Sequence, residues 1–237
     1  MAEELAVVIP AKDEQETIAE VIELTKENVE EYFSEVNFII SSGSSDATDE
    51  IAEKHGATVI RDGGRGLGEA MYRGLKKAVE TDADYVMSID SDLQFRPEEA
   101  DRLIEKREDA DLVLGSRFLE DGVEYKMSSS HRFGNWFLTR MLEWFGGIEI
   151  TDAQTGYRLM RSEVVEELRM IGRHTYVQET IIDAHSNGFT LTEVPVSFAE
   201  RQSGGSKVVS SITEYAFRTL PVILHRTNQT PYLMNGL

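Results

Sequence analysis

The first half of the chain alternates short, fully apolar runs with segments whose apolar positions recur every three or four residues. Residues 5–10, Leu-Ala-Val-Val-Ile-Pro, read as a buried strand. Residues 15 to about 32 follow as a helix with Ile18, Val21, Ile22 and Val29 on one side. The alternation then repeats as a strand over 36–41, a helix over 46–55 closed by Gly56, a strand over 57–61, a helix over 67–80 and a strand over 85–90. Pro97 opens a further helix at its first turn, and residues 112–115 form another strand. Unbroken apolar strands alternating with helices predict an α/β fold, a mostly parallel, Rossmann-like sheet with helices on both faces. Ligands of such sheets bind at the carboxyl ends of the strands. Chemistry is therefore sought in residues 10–14, 41–46, 61–68, 90–94 and 115–118.

The second half is less regular. A helix is expected over 133–145, broken by Gly146-Gly147; another starts at Ser162, and a third covers about 177–187 and is closed by Gly188. Residues 190–199 read as an edge strand, where Pro195 is tolerated. Residues 208 to about 226 are amphipathic and mostly helical, interrupted by Pro221. No repeat, low-complexity tract or linker divides the 237 residues, so one domain is expected, with its body over 1–207 and an amphipathic helical extension over 208–237.

Composition narrows the function classes. The absence of Cys removes disulfides and thiolate metal sites. No run of about 20 apolar residues spans a bilayer. The first residues carry no basic leader, so a cytoplasmic location is expected. The net charge of −19 counts against a nucleic-acid partner. It fits a salt-rich cytoplasm, as in a halophile, where self-repulsion is screened, and the preference for Arg over Lys agrees; a merely acidic protein is the alternative. From Arg201 onward the balance reverses, with Arg201, Lys207, Arg218 and Arg226 facing mainly Glu214. The apolar face of 208–226 therefore suits an interfacial helix lying on a bilayer, or packing on its own domain or a dimer partner.

The sharpest local signal is Ile89-Asp90-Ser91-Asp92-Leu93-Gln94, directly after a strand. Two carboxylates one residue apart can face one metal ion, and the Gln94 amide adds a third oxygen; an all-oxygen set suits Mg²⁺ or Mn²⁺. The same D-x-D spacing also occurs in ordinary surface turns. Upstream, Arg65-Gly66-Leu67-Gly68 sits at a loop-to-helix junction, where glycines admit a ligand to the backbone and a helix N-terminus favours an anion. Arg117, Arg158 and the Arg201–Lys207 pair around Gly204-Gly205 are candidate anion contacts.

In order and spacing these pieces resemble glycosyltransferase family 2, and within it the polyprenyl-phosphate hexosyltransferases of the dolichyl-phosphate mannose synthase type. The matching segments are Val8-Ile9-Pro10-Ala11-Lys12-Asp13-Glu14, Gly43-Ser44-Ser45-Asp46-Ala47-Thr48, Gly66-Leu67-Gly68-Glu69-Ala70 and Asp90-Ser91-Asp92-Leu93-Gln94. They continue through Gly115-Ser116-Arg117-Phe118, Asp152-Ala153-Gln154-Thr155-Gly156-Tyr157-Arg158 and Val194-Pro195-Val196-Ser197-Phe198 to Arg201 and Gly205-Ser206-Lys207. The resemblance implies a nucleotide-diphospho-sugar transferase fold of the GT-A type. It implies that Pro10, Ala11, Glu14 and Asp46 hold the nucleoside, that Gly66 and Gly68 pack near the nucleotide, and that Asp90, Asp92 and Gln94 hold Mg²⁺ or Mn²⁺ on the diphosphate beside Ser91. Gln178 and Glu179 would touch the sugar. Arg201 and Lys207 would close over the diphosphate, Arg117 would meet the acceptor phosphate, and Arg132 stands in for a further acceptor-side Arg. Asp92, Arg117, Arg201 and Lys207 form the expected catalytic set.

The chain departs from the pattern at Ser41-Ser42-Gly43, where relatives carry two acids, so the motif leaves open whether the donor is UDP- or GDP-linked. The implied partners are a nucleotide-sugar donor, a polyprenyl (dolichyl) phosphate acceptor and, through the C-terminal helix, the cytoplasmic face of a membrane. The implied reaction is inverting hexosyl transfer, with a soluble or other lipid acceptor, or a catalytically silent nucleotide-binding relative, as alternatives. A P-loop kinase and a Rossmann dehydrogenase are disfavoured, because neither glycine motif is present.

Overall fold

The computed structural model describes residues 3–61, 64–119, 129–169 and 176–199, together with Ile223. Seven strands form a single sheet in the order β3-β2-β1-β4-β6-β5-β7. Their ranges are β1 Glu4–Ala11, β2 Glu35–Ser42, β3 Thr58–Arg61, β4 Tyr85–Ser88, β5 Leu112–Ser116, β6 Arg158–Arg161 and β7 Leu191–Pro195. Strands β1 to β4 pair in parallel, as do β5 and β7; β6 runs antiparallel to both β4 and β5. The helices are α1 Ile18–Val29, α2 Thr48–Lys54, α3 Leu67–Ala78, α4 Ala100–Ile104, α5 Ser129–Gly146, α6 Ser162–Glu166 and α7 Tyr176–Ser186.

Strand β1 shows why both faces must be covered. Successive side chains of a strand point to opposite sides, and every residue from Leu5 to Ala11 is buried. Leu5, Val7 and Ile9 join the core formed with Ile18, Val21 and Ile22 of α1 and with Leu103 and Ile104 of α4. Ala6 and Val8 face the other way, into a core shared with Met71 and Leu75 of α3, Leu138 and Leu142 of α5 and Ile181 of α7. Helix α3 crosses β1 at Gly74, where an added Cβ would run into the Val8 side chain. A glycine at that crossing sets how closely helix and sheet approach.

The five strands expected in the first half are present, each within two residues of its expected bounds. The helix expected after Pro97 begins as a single 3₁₀ turn, Pro97–Glu99, before continuing as α4. The edge strand expected over 190–199 is β7, ending at Pro195, and the chain beyond it stays tied to the sheet through the Val196 N–H to the Ser116 carbonyl. Strand β6 has no counterpart in the periodicity. Arg-Leu-Met-Arg is four residues long with an arginine at each end, which hides it from any apolar pattern, yet Arg158 is only 1 % exposed. Arg201, Lys207 and the expected helix over 208–226 lie outside the described residues, Ile223 apart. Among the described residues no helix is long and apolar enough to cross a membrane.

Candidate active site

Register brings the first two loops together. Pairing of Ile9 with Ile40 and Pro10 with Ser41 ends β1 and β2 level with each other, so the segments after them share one rim of the sheet. They are laced by side chains: the Asp13 carboxylate accepts from the Ser45 N–H at 2.7 Å, and the Asp13 N–H donates to Ser44 Oγ at 2.9 Å. The Glu14 N–H donates to Thr48 Oγ1 at 2.8 Å. Asp46 accepts from the Thr48 N–H at 3.0 Å and from the Gln15 N–H at 3.3 Å, which closes the turn into α2 and ties it to the start of α1. Asp13 adopts the left-handed backbone region (φ 54°), at a cost of about 1–2 kcal/mol that this lacing sustains. Glu14 is 6 % exposed, and Pro10 and Ala11 are buried beside it.

Ser41 and Ser42, at the end of β2, have their own arrangement. Ser42 Oγ bonds the Asp49 carboxylate, reaching back from α2, and Asp49 accepts from Arg61 Nε of β3 at 2.8 Å. Ser41 Oγ, fully buried on the opposite face, has no hydrogen-bond partner. Asp49 thus brings a carboxylate to the end of β2 from the next helix, paired with an arginine whose side chain is 71 % exposed.

The Asp90–Gln94 turn follows β4. Ser91 Oγ donates to the Pro10 carbonyl at 2.9 Å and the Ser91 carbonyl accepts from Thr17 Oγ1 at 2.7 Å, so the turn is bolted to the end of β1 and the start of α1. The Gln94 N–H donates to Asp92 at 3.1 Å, and Leu93, buried, is held at φ 58°. Gln94 Nε2 donates to the Ala199 carbonyl at 3.2 Å, which orients the amide and fastens the chain leading to residue 200. Asp90 lies against the Asp152–Tyr157 segment: a Cβ on Gly156 would stand 2.9 Å from one Asp90 carboxylate oxygen and 3.0 Å from the other. Ser88 Oγ donates to the Gly156 carbonyl at 2.8 Å and fixes that approach.

That segment is itself clamped. Arg117, just past β5, meets Asp152 in a two-pronged fork, Nε to Oδ2 at 2.7 Å and Nη2 to Oδ1 at 2.9 Å, with only 8 % of the arginine side chain and none of the aspartate's exposed. The guanidinium lies 4.9 Å from the Phe198 ring centre and 5.7 Å from that of Phe95. Burial alone would raise the Asp152 carboxyl, but the bonded guanidinium, together with the Gln154 and Arg117 backbone N–H groups, outweighs it and holds the group below the usual carboxylate range. Glu193 of β7 accepts from the Thr151 and Asp152 N–H groups at 2.7 and 3.0 Å; burial pushes its carboxyl up. From the other side the Ala153 N–H donates to Thr139 Oγ1 of α5 at 3.2 Å, and the Ala153 carbonyl accepts from Gln178 Nε2 at 3.0 Å.

Of the residues read from the sequence, Pro10, Ala11, Glu14, Asp46, Ser91 and the Asp90–Gln94 turn share the rim at the carboxyl ends of β1, β2 and β4. Gly66 (φ 109°) precedes the first residue of α3, where only glycine sits without strain, and Gly68 is buried in the first turn. Gln178 and Glu179 are fully buried at the start of α7. Arg117 is enclosed by its ion pair, whereas Arg132 is exposed near the start of α5. Pattern reading singled out neither Asp49 nor the bracing roles of Ser88, Glu193 and Gly156. Gly156 carries the one available signal, a glycine inside a quoted motif; the others are ordinary polar residues until the fold brings them together.

The two acids fit a hard divalent cation, the cradle at Asp90 being one that any Cβ on residue 156 would fill. Among the described residues no group of three or more His, Cys, Asp or Glu side chains gathers to hold a metal. An ion here would complete its shell with substrate phosphate and water, the usual habit of Mg²⁺.

Comparison with known proteins agrees with this geometry. The pattern of the family described as Glycosyl transferase family 2 matches residues 6–169, well over half of the chain. The undecaprenyl-phosphate mannosyltransferase of Micrococcus luteus is 28 % identical, over 86 % of this chain and 87 % of that one. The low-salt glycan biosynthesis hexosyltransferase Agl6 of Haloferax volcanii is 29 % identical over 85 % of this chain and 49 % of its own length. Among solved structures, glucosyl-3-phosphoglycerate synthase from Mycobacterium tuberculosis, in complex with Mg²⁺ and UDP, superposes with a TM-score of 0.72 at 21 % identity, covering 94 % of this chain and 80 % of that one. The architecture is the GT-A-like α/β fold, and the chain belongs to glycosyl transferase family 2, as a glycosyltransferase.

Proposed function

We propose that this glycosyltransferase is a metal-dependent, inverting hexosyltransferase that moves a hexose from a UDP- or GDP-linked donor to dolichyl or another polyprenyl phosphate. The observation that carries the reading is the Asp90-Ser91-Asp92 turn, bolted to β1 and α1 through Ser91 and seated against Gly156. It is supported by the undecaprenyl-phosphate mannosyltransferase among the relatives and by Mg²⁺ and UDP in the structural neighbour.

In this reading the nucleoside lies over Pro10, Ala11, Glu14 and Asp46, with the diphosphate running past Gly66 and Gly68 towards Asp90, Ser91 and Asp92. Asp90, Asp92 and the oriented Gln94 amide are the ligands of Mg²⁺ or Mn²⁺. Bound there, the ion supplies charge neutralisation to the departing diphosphate. Arg201 and Lys207 close over the diphosphate, and Gln178 and Glu179 position the sugar. Arg132, with solvent access, and Arg117, acting from within its ion pair, form the acceptor side. An acceptor phosphate oxygen attacks the anomeric carbon as the bond to the diphosphate oxygen breaks on the opposite face, releasing the nucleoside diphosphate. The attacking phosphate is already ionised at neutral pH, so the protein's task is alignment and leaving-group stabilisation rather than proton abstraction. The body over 1–207 carries this chemistry, residues 208–237 are its helical extension, and the enzyme works on the cytoplasmic face of a membrane in a salt-rich cell.

The test incubates purified protein with radiolabelled UDP- and GDP-hexoses, Mg²⁺ or Mn²⁺, and dolichyl phosphate, at low and molar salt. Label in the organic phase, abolished by EDTA, is the expected result and identifies the donor. Label only in a water-soluble product moves the acceptor to a soluble phosphate. Nucleotide binding without transfer of label to any acceptor would replace the enzyme reading with that of a silent nucleotide-binding relative.

A further inference from the structure

Asn135 of α5 is 2 % exposed, yet among the described residues neither its side-chain oxygen nor its side-chain nitrogen has a hydrogen-bond partner. Native folds rarely leave a buried amide in this condition, because each unmet group forfeits the hydrogen bonds it makes in water. The buried hydroxyls of Thr25 and Ser41 also lack partners among the described residues, but each is a single small rotor. Asn135 leaves two N–H donors and a carbonyl acceptor unmet at once.

Its place gives the amide a direction. With Leu138, Thr139 and Leu142, all buried, Asn135 forms the strip that α5 turns inward. One turn on, Thr139 Oγ1 takes the Ala153 N–H at 3.2 Å, so the strip faces the Asp152–Tyr157 segment. That segment meets Gln178 of α7 through the Ala153 carbonyl and seats Asp90 at Gly156. Four residues of helix rise about 6 Å. The Asn135 carboxamide therefore stands one turn from the Thr139–Ala153 contact, beside the same backbone that joins the seat of Asp90 to Gln178.

The chemistry of the amide selects its ligand. A phosphate offers acceptors only and would leave Asn135 Oδ1 unmet. A metal ion would take Oδ1 and leave the NH₂ group unmet. A hydroxyl both donates and accepts, and two neighbouring hydroxyls satisfy both ends of a carboxamide together. We propose that Asn135 is a specificity-determining residue that hydrogen-bonds neighbouring hydroxyls of the transferred hexose. The assignment rests on the hexosyl-transfer reading above and adds to it a residue that discriminates among sugars. In the free protein the unmet amide lowers stability, and the correct sugar relieves it. A donor lacking the hydroxyl leaves the amide unmet in the complex, so it is rejected more strongly than the loss of one exposed hydrogen bond would give.

Asn135→Leu keeps the branched shape and removes the polar atoms. Without donor, the full chain carrying it should melt roughly 2–4 °C higher, and its affinity for the bare UDP or GDP should stay unchanged. Its kcat/KM for the nucleotide-hexose should fall about tenfold. The decisive measurement is a cycle with monodeoxy analogues of the donor hexose, read both as kcat/KM and as affinity relative to the bare nucleotide. In wild type at least one analogue should lose on the order of 10–100-fold; in Asn135→Leu the same analogue should lose less than about threefold. If leucine does not fit, Asn135→Ala, with a lowered Tm, should show the same collapse of the deoxy effect. Equal losses in wild type and both variants overturn the proposal, and a raised Tm accompanying them means that the amide holds only water. Failure of the acceptor reading looks different: the cycle persists in donor affinity while no prenyl phosphate takes up label.

Discussion

Replacing Gly156 by Ala tests whether the seat of Asp90 matters to catalysis separately from stability. The new Cβ would stand 2.9 and 3.0 Å from the two Asp90 carboxylate oxygens and 3.2 Å from its carboxyl carbon, whereas ordinary contact begins near 3.4 Å. The carboxylate must therefore retreat by about half an ångström. The carboxylate is the far end of a side chain with two rotatable bonds rather than backbone, and we expect a stability loss below about 1 kcal/mol, a drop in Tm of roughly 2–4 °C. Catalysis is less forgiving. A displacement of about 1 Å in a positioned group costs on the order of 100-fold, so half of that is about tenfold, or ~1.4 kcal/mol of transition-state stabilisation. The assay is initial-rate transfer of label to dolichyl phosphate over a range of donor and Mg²⁺ or Mn²⁺ concentrations, with thermal melting of the same preparations. The expected result is a raised half-saturation for metal, a lower kcat and a nearly unchanged Tm. Wild-type kcat and metal dependence would refute the idea that Gly156 seats Asp90 for function. A fall in Tm of more than about 10 °C would mean that the contact is packing.

Removing the neighbouring acid, Asp92→Ala, should cost several kcal/mol of transition-state stabilisation; near-normal turnover in saturating metal would end the metal assignment. Asp152→Asn leaves the Arg117 guanidinium buried without its partner charge, at about 3–5 kcal/mol, so the denaturant midpoint should fall markedly at pH 7. Because the folded-state carboxyl is held below its ordinary value, this contribution is full above about pH 4 and is lost as pH falls through the lowered value. Wild type and variant should therefore converge in acid, and a gap independent of pH would contradict the ion pair. Gly74→Ala drives a methyl into Val8 and should cost about 1–3 kcal/mol, read as a lower Tm with substrate affinities unchanged. At a net charge of −19 the fold should gain stability from low to molar NaCl through screening, and a flat melting temperature across that range would count against the salt-rich setting.

The first half of the fold was legible because its strands are covered on both faces and so appear as unbroken apolar runs, from Leu5–Ile9 to Tyr85–Ile89. The Asp90–Gln94 turn was legible for a related reason, since a strand of that kind ends abruptly and its end is where ligands gather. What stayed hidden depends on pairing between distant segments. Strand β6 carries its apolar content in two residues between arginines, and only burial of Arg158 by the fold makes it a strand. Arg117 reads from the sequence only as a candidate anion contact, because nothing in Gly115-Ser116-Arg117 announces that Asp152, 35 residues on, takes its fork. Asp49 looks like any acid in the first turn of a short helix until Ser42 and Arg61 converge on it. Periodicity reports which face of an element is buried; it does not report which polar groups a fold will bring within 3 Å.

The reversed direction of β6 has a consequence for how such a protein can diversify. Strand β5 leaves the sheet at the rim where Asp90 lies, and β6, running the other way, enters from that same rim. The chain between Ser116 and Arg158, to which helix α5 belongs, thus leaves the sheet and re-enters it at a single rim. Such an excursion can be exchanged as a cassette. Its two ends are pinned by β5 and β6, and strands β1, β2 and β3 need not shift when its contents change. A graft of residues 117–150 from a relative with a different acceptor, which keeps the Asp152–Tyr157 segment that seats Asp90, should accordingly leave nucleotide affinity intact and change where the sugar goes.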